Sequence, residues 1–171
     1  TLRWGLIAAG ETLRRYDADN AAAALERTQE AADALVEEGE SPSDEEALQL
    51  DLLTGTWGLR MGNTEDALVS LRRAEARAAN LGDVGRRVDA LLQLATADTG
   101  RGELDAALGG ARRASEFARQ AEDVRRELAA RLEEADVLAR LGRYDESRPI
   151  VDEVVRGTAD AAPESAPSEP D

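Results

Sequence analysis

The chain has 171 residues, of which 42% are apolar but only 3% aromatic, and it carries a formal charge of −15. It contains no cysteine and no histidine, and all 21 basic residues are arginine. Within this chain that excludes disulfides, thiolate metal sites, cysteine nucleophiles, Schiff-base and P-loop lysines, and the usual general base near neutral pH.

The acidic balance opposes phosphate neutralisation, so neither nucleic acid nor an anionic membrane surface is an expected partner. No apolar run approaches the ~20 residues of a membrane-spanning helix, and a cytoplasmic protein without metal or cofactor is the expectation. Arginine-only usage reads as genome composition or salt adaptation, because Arg and Lys substitute freely at exposed sites. The first residue is Thr1 rather than Met, which suggests a chain cut from a longer protein. Much of the apolar share is alanine, the best helix former. The prolines, at 42, 149, 163, 167 and 170, leave nothing between Pro42 and Pro149 to break a helix. The predicted class is all-α.

In chain order, Leu2, Leu6, Ala9 and Leu13 trace one helical face. Tyr16 to Asn20 predicts a turn, and a long helix follows from about Ala21 to Val36. Gly39 to Ser43 reads as a loop. Ser43 before Asp44, Glu45 and Glu46 makes a good helix start, a hydroxyl cap with acids against the dipole.

From here the chain repeats. Gly62, Gly102 and Gly142 stand 40 residues apart, each followed five residues on by Ala67, Ala107 or Ser147 and preceded seven residues back by Gly55, Ala95 or Ala135. A fixed period in this range marks a stacked repeat protein. The first helix of each unit carries Leu48, Leu52, Gly55 and Leu59, then Val88, Leu92, Ala95 and Thr99, then Leu128, Leu132, Ala135 and Ala139. The glycines are expected C-caps. The second helices bury Ala67, Leu68, Leu71 and Ala74, then Ala107, Leu108, Ala111 and Ala114, then Ser147, Ile150, Val151 and Val154. Small residues at Gly55 with Ala67, and Ala95 with Ala107, predict close approach within each hairpin. The count is eight helices in four hairpins over residues 1–157, followed by an acidic, Pro/Ser-rich tail over 158–171 expected to be disordered. Trp4 and Trp57 fall within apolar patterns and read as core, with Trp4 alternatively packing on a domain upstream.

The helix, glycine turn and second helix with alanine five residues on resemble the tetratricopeptide repeat, in its roughly 40-residue bacterial or archaeal variety. Leu81-Gly82-Asp83 matches the linker of that variety, and Leu141 to Ser147 is the best single turn match. The likeness covers roughly Leu2 to Arg156. It departs in lacking the family's bulky aromatics on the first helix: Trp57 has no counterpart at 97 or 137. The stretch Ala8 to Arg15 is also similar to the opening of repeat regions that follow an ATPase module in large bacterial regulators. The resemblance implies a right-handed α-solenoid, TPR-like, whose concave groove is lined by the first helices and binds a protein or peptide.

Other motifs read more plainly. Asp17-Ala18-Asp19-Asn20 lacks the glycine and glutamate of a calcium loop and reads as a cap. Thr99 to Glu103 follows a helix rather than a strand and has no lysine, so it fails as a phosphate loop. Glu133-Glu134 reads as a chance pair on a solvated helix. Arg72-Arg73 and Arg112-Arg113 recur at the repeat interval and read as surface partners of Glu75 and Glu116 rather than a phosphopeptide clamp. The candidate groove residues are the polar positions opposite the apolar face: Gln49, Thr56, Arg60, Asp89, Thr96, Asp136 and Arg140. The reading is a protein-interaction scaffold with no catalytic residues. The alternatives are a regulatory repeat segment of a larger ATP-dependent or transcriptional regulator and, disfavoured by the missing side chains, an enzyme. The apolar end of the last helix also allows a homodimer through terminal helices.

Overall fold

The computed structural model describes residues 2–15 and 18–161. Among them are eight helices and no strand: α1 (Leu2–Arg14), α2 (Ala18–Glu37), α3 (Asp44–Arg60), α4 (Thr64–Leu81), α5 (Val84–Arg101), α6 (Leu104–Gln120), α7 (Val124–Arg140) and α8 (Tyr144–Ala161). Consecutive helices pair as four antiparallel hairpins stacked in one direction. The predicted turn at Tyr16 to Asn20 is shorter than expected, since α2 starts at Ala18; Tyr16 and Asp17 lie outside the described residues. The expected tail at 158–171 begins inside α8, which continues to Ala161, and 162–171 lie outside the described residues. Pro149 sits within α8, on its exposed side, where the Asp145 carbonyl that loses its helical donor can turn to water.

Local signals place the helix ends. Ser43 forms a capping box: the Glu46 amide donates to Ser43 Oγ at 3.3 Å, and the Ser43 amide donates to Glu46 Oε2 at 3.0 Å. Asp83 and Asp123, one repeat apart, accept from the Arg86 and Arg126 amides at 2.9 and 3.0 Å. Gly62, Gly102 and Gly142 have φ of 78°, 80° and 75°, as C-caps require, and Gly82 has 68°. The repeat counterpart of Gly82 is Glu122, at φ 56°, the one non-glycine with positive φ among the described residues.

Packing relies on small side chains. Ala67, Ala74 and Ala78 on α4 and Ala107, Ala111, Ala114 and Ala118 on α6 are fully buried. A Cβ at Gly55 would stand 2.5 Å from Leu71 Cγ, and one at Gly58 would stand 2.9 Å from Ala67 Cβ. The close approach expected of Gly55 with Ala67 is therefore shared out, with Gly55 facing Leu71 and Gly58 facing Ala67. Four of the core clusters draw on a hairpin and on the first helix of the next one, and the last joins α7 and α8 to α6 of the preceding hairpin. Leu50 closes over α1 and α2, Ala90 over α3 and α4, and Ala130 over α5 and α6. Trp57 packs half-buried against α1 and α2, as expected, whereas Trp4 is largely exposed rather than part of the core.

Three carboxylates tie the helices together. Asp51 on α3 accepts from Arg77 at 3.0 Å and pairs with Arg73 at 3.1 Å, both on α4. Glu75 on α4 pairs with Arg87 of α5 at 2.9 Å and Arg113 of α6 at 3.2 Å. Arg87 also stacks over Phe117, 4.0 Å from the ring centroid. Glu134 on α7 is buried and pairs with Arg112 at 2.8 Å and Arg131 at 3.6 Å. Arg73, Arg112 and Arg113 therefore do not pair along their own helices as expected; they reach across to neighbouring ones, because each alanine-lined seam brings a carboxylate within their length. Glu116 pairs instead with Arg119, at 2.6 Å.

Replacing Glu122 by glycine relieves a left-handed non-glycine residue and should raise stability by about 1 kcal/mol, seen as a melting midpoint higher by about 3 °C. Gly55→Ala forces a methyl onto buried Leu71 and should cost about 2 kcal/mol in urea unfolding. At Asp51 burial is the largest influence and raises the carboxyl pKa, against the pull of Arg73 and Arg77. The folded chain thus holds this proton more tightly than the unfolded one, and above its pKa the charged group weakens the fold relative to a neutral one. Asp51→Asn should match or exceed the parent in melting temperature at neutral pH, with the difference closing as pH falls towards about 4. A variant much less stable at neutral pH would mean that the charged cluster is a net support.

Candidate functional site

The first helices of successive hairpins pack closely on one another (α1 with α3, α3 with α5, α5 with α7), whereas among the described residues the backbones of the second helices stay apart, α4 and α6 meeting only through the long Glu75–Arg113 pair. Helices that converge on one side and splay on the other curve the stack, with the first helices inside. This inner face is the candidate site.

The predicted groove residues divide by position. Thr56 Oγ1 lies 2.7 Å from Gln93 Oε1 on the next first helix, and equally close to the Leu52 carbonyl of its own helix. Thr96 Oγ1 repeats this 3.2 Å from Glu133 Oε1. Asp89 takes a two-pronged bond from Arg126, at 2.8 and 2.9 Å. In all three pairs the partners stand 37 residues apart, so each first helix is staggered against its neighbour by about one turn relative to the 40-residue period. Arg60 donates to the Leu13 carbonyl at 2.5 Å, spanning α3 to the end of α1. Asp136 and Arg140 pair with each other at 2.7 Å on the exposed side of α7. Gln49 is half-buried on α3. The structure therefore brings Thr56, Arg60, Asp89 and Thr96 to the seams between first helices, leaves Asp136 and Arg140 facing solvent, and keeps Gln49 apart from both.

The seam between α5 and α7 opens into a shallow depression of about 320 Å³ lined by Asp89, Leu92, Arg125, Arg126 and Ala129. Its charge is ordered. Hydrogen bonds donated to Asp89 and then to Asp123 raise the pKa of the Arg126 guanidinium, and the same contact holds the Asp123 carboxyl low. Gly85 leaves room for this guanidinium: a Cβ there would meet Arg126 Cζ at 3.3 Å. Glu133 is pushed up by burial, which outweighs the Thr96 hydroxyl. Glu133-Glu134 is thus not a solvated chance pair, since one member sits in the inner seam and the other is buried beneath Arg112. Arg125, Arg126 and Gln93 were not singled out in the sequence, and Glu133 was read only as half of a chance pair. Their signal was the 37-residue offset, which becomes visible only once the stagger between units is known.

On the outer side α4 and α6 flank a groove of about 410 Å³ over α5, lined among others by Arg72, Asp98, Gly109, Gly110 and Arg113. Of the four recurring arginines, Arg73, Arg112 and Arg113 form ion pairs, and the charge of Arg72 partly offsets a burial that raises the pKa of Asp98. Three of the four are thus committed to carboxylates of the fold, in keeping with ion pairing rather than a phosphopeptide clamp. Among the described residues no three potential ligands cluster to hold a metal ion, and no helix is long and apolar enough to cross a membrane.

No family model and no curated protein matches the chain. Among solved structures, the chain is similar over 94% of its length to aspartyl phosphate phosphatase F from Bacillus subtilis, with a TM-score of 0.80 at 12% identity. It spans 40% of that protein's chain. A second structure, MamA protein, aligns over 99% of this chain and 98% of its own with 16% identity, but at a TM-score of 0.37 that likeness is too loose to inform the fold. The architecture is a tetratricopeptide-like solenoid of helical repeats.

Proposed function

We propose that this chain is a protein-interaction module that holds an extended segment of a partner along the face formed by α1, α3, α5 and α7, and that it catalyses no reaction. The observation that carries this reading is the convergence of the first helices into one inner face, with a continuous polar strip along it. Thr56, Asp89 and Thr96 and their partners knit that strip, and Arg125, Asp136 and Arg140 stand exposed on its last helix. A peptide backbone has regularly spaced donors and acceptors, and such a strip can meet them without first breaking a buried bond. Catalysis has little support. Of the three carboxylates whose pKa burial raises, Asp51 is held by two arginines, Asp98 lies under the charge of Arg72, and Glu133 faces the Thr96 hydroxyl. The chain has no imidazole with which any of them could share a proton, and the Thr96 hydroxyl is itself bonded to the Leu92 carbonyl.

A photo-crosslinker placed at exposed Ala129 should capture the partner from its native extract, while the same group at Gly109 on the outer side should not. The reverse pattern would move the binding face to the second helices. Replacing Arg125, Asp136 and Arg140 together by alanine should weaken the captured partner about tenfold or more in Kd. The fold should change little, because exposed i,i+4 pairs such as Asp136–Arg140 contribute only about 0.3–0.5 kcal/mol. Acetyl phosphate should not be hydrolysed above the buffer rate, and turnover that survives purification would contradict the non-enzymatic reading.

A further inference from the structure

The interface between hairpins occurs three times inside the molecule, and its two halves stand uncovered at the two ends. On the incoming side, Leu50 of α3, Ala90 of α5 and Ala130 of α7 occupy the same repeat position and are buried against the preceding hairpin. The first hairpin fits this register with a longer step. The buried series Leu2, Leu6, Ala9 and Leu13 of α1 has the spacing of Leu48, Leu52, Gly55 and Leu59 of α3. Buried Ala21, Leu25, Thr28 and Ala32 of α2 likewise match Ala67, Leu71, Ala74 and Ala78 of α4. In that register Trp4 takes the place of Leu50, and Ile7 the place of Leu53, which packs on α1 and α2. Trp4 is 72% exposed and Ile7 41%. Glu11 stands where α3 has Trp57, so this face is shorter than its interior counterparts.

The receiving side is uncovered at the other end. Leu52 and Leu92 lie in the clusters that Ala90 and Ala130 close. Their counterpart on α7 is Leu132, which is 53% exposed. Leu71 and Ala111 are fully buried, whereas their counterpart on α8, Val151, is 38% exposed. Exposed apolar groups gathered at both ends signal association surfaces, and here each surface has the form of the other's partner. A polar bond is available at the same seam. Arg60 reaches the Leu13 carbonyl of the preceding first helix, and the matching pair across a junction of two molecules is Arg14 of one copy with the Ala139 carbonyl of the other.

We propose that a second copy of this chain docks the Trp4–Ile7 face of its α1 onto the Leu132–Val151 face of the last hairpin, joining copies head to tail. The contact is heterologous, so each copy keeps one free half and the array can grow by addition. At a net charge of −15 per copy, repulsion opposes the contact and added salt strengthens it by screening.

Sedimentation velocity over a wide range of protein concentration tests this on the full chain. The parent should sediment faster as concentration and salt rise. Trp4→Glu and Leu132→Glu should each be monomeric with unchanged helicity, since both side chains are exposed. Mixed in equal amounts, the two variants should form a one-to-one dimer that grows no further, because each retains one intact half. A parent that stays monomeric at every concentration overturns the proposal, whether the ends are then covered by another protein or by the chain's own tail. So does a dimer that survives Trp4→Glu alone, which would place two last hairpins face to face. So does a mixture that stays monomeric while the parent associates. None of these outcomes bears on the inner-face reading, whose residues lie outside both end faces.

Discussion

None of the first three hairpins closes its own core. Two alanine-lined helices leave an apolar trough between them, and it is sealed only when the first helix of the next hairpin lays Leu50, Ala90 or Ala130 into it. The rest of the architecture follows from that requirement. Each unit must stack on the one before, in one direction, and with a constant stagger. Because the sealing residues lie on the first helices, these are drawn together while the second helices are left to splay. The curvature and the inner face are consequences of where the seal sits.

Small side chains make the seal close but carry little apolar area; a buried methyl contributes only about 0.8 kcal/mol. Polar contacts supply register instead. Asp51 joins the two helices of its hairpin, Glu75 joins α4 to both helices of the next hairpin, and Glu134 joins α7 back to α6. Buried ion pairs are weak as net stabilisers, because desolvation offsets much of their attraction. Their geometry is nevertheless demanding: a one-residue slip of a helix would leave a carboxylate buried without its arginines. In an alanine-rich stack, where one apolar methyl resembles another, such contacts distinguish the native stagger from its neighbours.

The inner seams show the same division of labour. Thr56 with Gln93, Asp89 with Arg126, and Thr96 with Glu133 recur at one offset, but with a different chemistry at each step. Spacing is held constant while polarity varies, so the strip is uniform in shape and individual in charge. A solenoid that binds an extended partner presents its specificity in this way, one unit at a time.

Much of the architecture was already determined by the sequence. Glycines at 62, 102 and 142 mark turns because only a residue without a Cβ takes the left-handed conformation at little cost. Ser43 with Glu46 marks the start of α3 through a bond made within one turn, and the apolar series on each helix follows from the 3.6-residue period. All of these are local, and local chemistry can be read along the chain. The tertiary structure alone decided which arginine meets which acid. Side chains of that length can reach their own helix or the next, and the choice depends on interhelical distance. It also decided that Trp4 faces solvent while Trp57 packs, because burial depends on whether another helix covers the position and the helical pattern is the same in both cases. The 37-residue pairing of the inner strip belongs to the same class: it is the 40-residue period less one turn of stagger, and the stagger exists only when two hairpins are in contact.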